Sequence, residues 1–442
     1  MAIKNDVIVA LATAPGPSGV GVVRLSGSDL TPYFQAILKK DALKPRYAEL
    51  SWFHDPMGEP IDQGLAIWFP APQSYTGEHV LEIQGHGSMV VLASILQSCQ
   101  AVGARLAEPG EFTQRAFFNG KLDLTQAEAV IDLIHADSQA SAKGALRSLS
   151  GAFSLKVKEI RQSLIELRMF VEGSIDFSEE GYDFLAAIPN QLSPRFIAEG
   201  LNKLIQEATD SLVFNQGRQV VLIGAPNVGK SSILNVLSQE ELAIVTDVPG
   251  TTRDAIRNQV VIQGVPFHII DTAGLRETKD PIEQAGIART WQAIEKADIA
   301  MLVIDVKQGI TEQDQQLIEQ LSPTTSIIKV ANKIDLLERV DFTEDWIPVS
   351  AESGIGFDAL KNKLIDLSGV SVNTAPPFLA RERHIKELKQ CLQHLKYSET
   401  VTEIEFIAEE LRLAQLALNA VTGEFTADDL LGEVFSKFCI GK

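Results

Sequence analysis

Residues 224–231 read Gly-Ala-Pro-Asn-Val-Gly-Lys-Ser, a complete G-x-x-x-x-G-K-[ST] phosphate loop. Its glycines let the backbone curl so that N–H groups converge on a β-phosphate, and the helix expected from Lys230 points its positive end at the same place. Lys230 is expected to reach the β- and γ-phosphates. Ser231 offers a hydroxyl to Mg²⁺, which takes hard oxygen ligands. Asn227, Val228, Gly229 and Ser232 complete the cradle. Asp271-Thr272-Ala273-Gly274 comes next. A carboxylate closing the apolar strand 266–271 can hold Mg²⁺ through water, while the Gly274 N–H senses the γ-phosphate. Asn332-Lys333-Ile334-Asp335 follows a further apolar strand. Asp335 presents an acceptor pair to the guanine N1–H and exocyclic amine, a donor pair that adenine lacks, and a base that leaves this carboxylate unpaired is rejected. Ser350-Ala351-Glu352 matches the last guanine-contacting loop of such sites, although short Ser-Ala steps are common. One phosphate loop alone fits many nucleotide enzymes; the three motifs together select guanine nucleotides and GTP hydrolysis.

Between the loop and Asp271 lies Pro249-Gly250-Thr251-Thr252-Arg253-Asp254. Thr252 is the expected second Mg²⁺ hydroxyl, on a switch segment that closes over the γ-phosphate; the alternative is an ordinary Gly-Thr turn. Small GTPases of the Ras type place Gln after the Asp-x-x-Gly motif to orient the attacking water. Here Leu275 and Arg276 follow, so that role must move, and Glu283 in Asp280-Pro281-Ile282-Glu283 is the expected water-positioning residue. Its other reading is a helix-start carboxylate stabilised by the helix dipole. The Asn227 side-chain oxygen lies near the phosphates and could ligate K⁺ with main-chain oxygens of Thr246 and Val248, and with Thr251. Such an ion supplies positive charge where an arginine finger otherwise acts. A loop Asn that only hydrogen-bonds its own backbone is the competing reading.

These residues need a scaffold. The stretch 219–367 alternates apolar strands (219–223, 266–271, 299–306, 326–332) with helical segments, the βαβ signature of a parallel sheet covered by helices. Residues 1–118 mix short strands (20–25, 64–69, 79–83) with Gly and Pro turns and an amphipathic helix over 89–103. This is an α/β or α+β module. From 119 the character turns helical: an Ala-, Gln- and Ser-rich stretch over 125–151, then Val157, Ile160, Leu164, Leu167 and Val171 on one stripe, then 192–212. Residues 371–377 read as a linker. Helices return with Ile385, Leu388, Leu392 and Leu395 on one face and Ile404, Ile407, Leu411, Ala414, Leu418 and Val421 on another. The expectation is a multidomain α/β plus α chain. It comprises an N-terminal domain (1–118), a helical domain in two pieces (119–213 and 378–442) and an inserted nucleotide domain (214–377); two separate helical arms are the alternative.

With 442 residues the chain is long enough for two or three domains with full cores, and its 45% hydrophobic content is ordinary. No apolar run approaches the ~20 residues that span a bilayer. The N-terminus reads as a first β-strand and not as a signal peptide. The net charge of −19 excludes nucleic-acid binding through the overall field, so any RNA contact needs a local basic patch or a basic partner. The three cysteines, Cys99, Cys391 and Cys439, give no metal or disulfide framework and suit a reducing cytoplasm.

These motifs, with residues at both chain ends, resemble the MnmE/TrmE family of tRNA-modification GTPases. The similarity covers essentially the whole chain. It rests on Ala14-Pro15-Gly16 with 19–24 (Gly-Val-Gly-Val-Val-Arg), Tyr75-Thr76-Gly77-Glu78, Glu108 to Thr113 (Glu-Pro-Gly-Glu-Phe-Thr), and Asn119 to Leu124 (Asn-Gly-Lys-Leu-Asp-Leu). It closes on Gly423-Glu424-Phe425-Thr426 and the terminal Cys439-Ile440-Gly441-Lys442. Pro17, Ser18 and Ser88 depart from the family pattern. The resemblance implies a folate-binding, dimerising N-terminal domain, a helical domain and an inserted Ras-like G domain. It implies a formyl- or methylene-tetrahydrofolate donor and an FAD protein of the MnmG type, joined as a heterotetramer. The implied product is a tRNA with an aminomethyl or carboxymethylaminomethyl group on C5 of its wobble uridine. It assigns K⁺ to Asn227, a switch arginine to Arg253 and water positioning to Glu283. Folate contacts carry over to Arg24, Glu82, Lys121 and Lys442, consistent with a carboxylate pairing the amide–amine edge of a pterin and cations pairing its glutamyl carboxylates. Read without the resemblance, these four are solvated charges. Cys439 either acts covalently through its thiolate or only lines the folate pocket.

Three functions compete: a dimeric GTPase driving wobble-uridine modification; a ribosome-assembly or regulatory GTPase, which would usually carry a basic RNA-binding domain; and a one-carbon transfer enzyme with a regulatory G domain.

Overall fold

The computed structural model describes residues 6–176, 188–240, 258–271, 295, 297–319, 321–337, 345–370, 375–424, 434–436, 438, 439 and 441. By contacts the chain divides into two compact units, the first made of 1–131, 157–165 and 409–442, the second of 132–156 and 166–408.

The first unit is built on a six-stranded sheet. Its strands are β1 (Ile8–Leu11), β2 (Ser18–Gly27), β3 (Glu49–His54), β4 (Pro60–Phe69), β5 (His79–Gly87) and β6 (Arg105–Leu106), in the order β3-β4-β5-β2-β1-β6. All neighbours are antiparallel except β1 and β6. The alternation along β2 buries Val23 and Leu25 on one face and leaves Arg24 on the other. Helices α1 (Thr31–Leu38) and α2 (Met89–Val102) cover the buried face with Phe34, Ile37, Leu92 and Ile95. Helices α3 (Glu111–Phe118) and α4 (Leu124–Ile134) follow, and Phe435 and Phe438 from the chain end pack with Leu124 and Ala127 of α4.

The second unit contains α5 (Gln139–Leu149), α7 (Pro194–Gln216) and parts of the long helix α6 (Ala152–Asp176), together with a second sheet. Ser138 caps α5 by accepting from the Ser141 N–H, and Ser193 caps α7. The expected helical stretch 125–151 is therefore two helices separated at residues 135–138. The expected stripe on α6 is borne by its buried Val157, Leu164, Leu167 and Val171. The second sheet orders β12 (Trp346–Pro348), β11 (Ser326–Asn332), β10 (Ile299–Asp305), β7 (Arg218–Ile223), β9 (Val265–Asp271) and β8 (Asn258–Ile262). Helices α8 (Lys230–Glu240), α9 (Glu312–Glu319) and α10 (Phe357–Ser368) accompany it.

The sheet is parallel from β12 to β9, as the βαβ alternation predicts, and β8, a strand outside that reading, runs antiparallel at the edge. The reason is a two-residue turn: Gln263 and Gly264 both take positive φ, 49° and 88°, the geometry of a tight hairpin. The segment read as a linker is anchored where it is described. Arg147 donates to the carbonyls of Ala375 and Pro376; just beyond the segment, Phe378 is fully buried against Phe153, ring centroids 4.7 Å apart. The helices α11 (Glu382–Ser398) and α12 (Ile404–Thr422) complete the order. Among the described residues no helix is long and apolar enough to cross a membrane.

Candidate functional site: a guanine-nucleotide cradle

The loop 224–229 leaves the end of β7, where the parallel strands present their carboxyl ends. Gly224 has φ 143°, and a Cβ there would lie 2.2 Å from the Val303 carbonyl. Gly229 has φ 100°, and a Cβ would lie 2.1 Å from Asn332 Nδ2. Neither position admits a side chain, so the motif's glycines are fixed by close approach as well as by φ. Asn227 takes φ 64° without being glycine.

Lys230, the first residue of α8, is 7% exposed, and its Nζ donates to the carbonyls of Gly224 (2.6 Å) and Ala225 (3.0 Å). Burial lowers the pKa of its ammonium; the Asp271 and Asp314 carboxylates oppose that shift. Ser231 Oγ donates to Asp271 Oδ2 at 2.8 Å, which joins the end of β9 to the start of α8. Ser232 follows, exposed, on the first turn of α8, and Val228 is buried in the core.

The Asn332–Asp335 motif reaches the same loop. Asn332 Nδ2 donates to the Val228 carbonyl at 2.9 Å, and its Oδ1 accepts from the Ala351 N–H at 3.2 Å. Lys333 has φ 68°, which turns its side chain back: Nζ donates to the Asn227 carbonyl (2.9 Å) and to Asp305 Oδ2 (2.8 Å). Lys333 holds the Asp305 carboxyl below its ordinary pKa against the opposing effect of burial. Ser350 Oγ donates to Asp335 Oδ1 at 2.5 Å and also accepts the Ser353 N–H. The phosphate loop, Asp271 and the Asn332–Asp335 motif thus converge at the carboxyl ends of the parallel strands. Asp305 was not foreseen; its signal was a lone carboxylate ending the apolar run 299–304. Thr246, Val248, Thr251, Thr252, Arg253, Thr272, Ala273, Gly274, Glu283 and Lys442 lie outside the described residues.

In the first unit, Arg24 and Glu82 are opposed across β2 and β5. Arg24 Nε and Nη2 lie 3.0 and 2.9 Å from Glu82 Oε1. The guanidinium also stands 5.7 Å from the Tyr75 ring centroid and 5.9 Å from that of Phe112. Its Nη1 donates to the Gly441 carbonyl at 3.3 Å, which brings that residue of the terminal motif to this pair. Gly441, at φ 97°, leaves only 2.2 Å between a would-be Cβ and the Leu11 carbonyl. Cys439 is exposed, and its carbonyl accepts from the Gly110 N–H at 3.4 Å. Lys121 is exposed beside Gly77 and lines a cavity of about 290 Å³ with Phe117, Asp123, Gln126 and Lys158.

In two further motifs the carboxylates serve an ion-pair cluster. Glu78 and Glu111 both accept from Arg115, which is 4% exposed and also pairs with Asp6 at 2.7 Å. Arg105 joins Asp6 and Glu111 to the same cluster. Burial alone would raise Glu111, yet hydrogen bonds from Arg105, the Glu108 N–H and Arg115 hold its carboxyl below the ordinary range.

A family model described as the N-terminus of the GTP-binding protein TrmE matches residues 7–121, and one described as the MnmE helical domain matches residues 124–439. The chain is 50% identical over 441 residues to the tRNA modification GTPase MnmE of Chromobacterium violaceum, covering 98% of each chain. It is 50% identical to that of Thiobacillus denitrificans, over 99% of this chain and 98% of the other. With that of Dechloromonas aromatica it shares 48% identity over the full length of both. The chain belongs to the MnmE/TrmE family of tRNA modification GTPases.

Proposed function

We propose that the chain hydrolyses GTP and, in the cytoplasm with an FAD protein of the MnmG type, installs the (carboxymethyl)aminomethyl group on C5 of the wobble uridine of certain tRNAs. A tetrahydrofolate supplies the carbon. Family membership along the full chain supports this reading, and one observation carries the nucleotide half of it. Asp271 and the Asn332–Asp335 motif bond to one phosphate loop, at Ser231 and at the Val228 carbonyl.

The residues fit the groups they would hold. A hydroxyl and a carboxylate side by side, Ser231 and Asp271, are hard oxygen donors of the kind Mg²⁺ takes, and Thr252 would add a second hydroxyl. Mg²⁺ and K⁺ supply positive charge beside the phosphates when bound. Lys230 sits deep enough that its charge acts with little screening by water. Asn227, with its backbone already in the left-handed region, is suited to turn its amide oxygen toward a monovalent cation, together with Thr246, Val248 and Thr251. Glu283 would orient water and Arg253 would serve on the switch. Asp335, steadied by Ser350, accepts from the guanine edge.

In the N-terminal part, Glu82 offers its carboxylate to the amide–amine edge of a pterin, with Arg24 fixing its orientation and Tyr75 and Phe112 beside it. Lys121 and Lys442 are the cations for folate carboxylates. The seat of the terminal motif near Arg24 supports a role for Cys439 in lining this pocket. Dimerisation through the N-terminal domain and a heterotetramer with the flavoprotein belong to the same reading, as does the inserted G domain over 214–377.

The test is GTP turnover of the purified chain in K⁺ and in Na⁺. Turnover is expected to be much faster in K⁺, and Asn227→Ala to remove the difference. Equal rates in the two salts would overturn the cation assignment; no turnover in either would overturn the GTPase reading.

A further inference from the structure

The Asn332–Asp335 motif and the phosphate loop are joined by side chains as well as by any nucleotide they share. Here a buried carboxylate ties them together. Asp305 is 7% exposed at the end of β10, directly opposite Asn332 in the parallel register. Its Oδ1 accepts the Lys307 N–H at 2.9 Å, which closes the following turn, and its Oδ2 accepts Lys333 Nζ at 2.8 Å. The same Nζ donates to the Asn227 carbonyl at 2.9 Å. That carbonyl belongs to the one non-glycine residue of the described loop at positive φ. Asparagine takes this conformation more readily than other non-glycine residues, and a hydrogen bond to its carbonyl fixes which way that peptide faces.

We propose that Asp305 is a positioning residue for the hydrolytic site. Through Lys333 it holds the Asn227 backbone in the left-handed conformation, and so sets where the Asn227 amide oxygen stands for a monovalent cation. The base-reading strand and the cation-facing residue thereby move as one body. This inference rests on the K⁺ reading of Asn227 given above.

The geometry says why a neutral residue would fail. Lys333 reaches two acceptors, of which only Asp305 is charged. Without that charge the ammonium keeps only the neutral Asn227 carbonyl and competes for it with water. Asp305→Asn is nearly isosteric and keeps an oxygen for the Lys307 N–H, so the turn survives while the charge is lost. A charge-assisted hydrogen bond of this kind is worth roughly a tenfold effect or somewhat more.

The experiment titrates the purified full chain with KCl at constant ionic strength. It follows the binding of a slowly hydrolysed GTP analogue and, separately, GTP turnover. Asp305→Asn is expected to raise the half-effective K⁺ concentration about tenfold in both readouts. The preference for guanosine over inosine triphosphate should not change, since Asp335 is intact. Lys333→Met is made alongside, with the double variant. If Asp305 acts through Lys333, the double variant is no worse than Lys333→Met alone. A merely structural Asp305 would add its own loss to that of Lys333→Met, and that additivity would overturn the inference. So would a K⁺ response in Asp305→Asn that matches the wild type. A wild-type chain indifferent to K⁺ removes the cation reading itself, and the inference with it.

Discussion

On the proposed reading, Asp335 carries the choice of base. One of its oxygens is held by Ser350, which fixes the plane of the carboxylate toward the nucleotide edge. Asp335→Asn exchanges an acceptor pair for an acceptor and a donor, so guanine loses a partner and meets a repelling N–H. GTP affinity is expected to fall by at least about 100-fold. Xanthosine triphosphate, which presents a carbonyl where guanine has its amine, is expected to gain; competition binding with the two nucleotides measures both. An unchanged preference would mean that Asp335 does not read the base. At this scale the sequence was informative where chemistry demands residue types at fixed spacing. The loop, Asp271 and Asn332–Asp335 were all legible. Asp305 was not, because a carboxylate that ends a strand looks like any solvated strand end. The Arg24–Glu82 pair was visible only through the family resemblance, since nothing local to either residue announces a partner 58 positions away.

Elements hold these residues, and two predictions belong to them. The first concerns α3 and the strand ends around it. Arg115 is nearly fully buried among Asp6, Glu78 and Glu111. Arg115→Ala leaves three carboxylates without their central cation and is expected to cost about 3–5 kcal/mol of stability. Urea unfolding at neutral pH measures it. Glu111 and Asp6 both have folded-state pKa values below their ordinary ones; for Asp6 too, burial works against the shift and Arg105 and Arg115 outweigh it. A depressed carboxylate stabilises the fold above its unfolded pKa, roughly 4 for these groups. That contribution is lost as pH falls from there through the folded value. The wild-type chain should therefore lose stability below about pH 4. Arg115→Ala should show a shallower loss over the same window. Parallel acid profiles would show that the cluster is not what the acid attacks.

The second prediction concerns the chain end. Gly441→Ala places a methyl group against the Leu11 carbonyl at a φ that alanine rarely adopts. It should lift the terminal motif from Arg24 and abolish wobble-uridine modification in a complemented deletion strain. GTP turnover should persist, because the nucleotide cradle is built from other elements. A fully modified tRNA pool in that strain would show that the seat of the terminus is immaterial. The elements themselves were largely legible from periodicity. The antiparallel β8 was not, since the hairpin signal is only a Gln-Gly turn. The anchoring of Ala375 and Pro376 by Arg147 was not either, because proline-rich composition reads as linker whatever lies against it.

At the scale of the molecule, the parallel-sheet unit and the antiparallel-sheet unit are distinct cores. Alternating strands and helices announced the first, and the change to short strands with turns announced the second. What the chain does with both could not be read from either core, because a fold does not fix a function. It followed from specific residues and from full-length family membership. The central claim is that the nucleotide cradle drives modification of the wobble uridine. The most direct measurement is mass analysis of tRNA nucleosides from a deletion strain carrying either the wild-type chain or Lys230→Ala. The account predicts that the wild type restores the C5-modified wobble uridine and that Lys230→Ala, present at equal protein level, does not. Full modification with Lys230→Ala, or in the deletion strain itself, would contradict it.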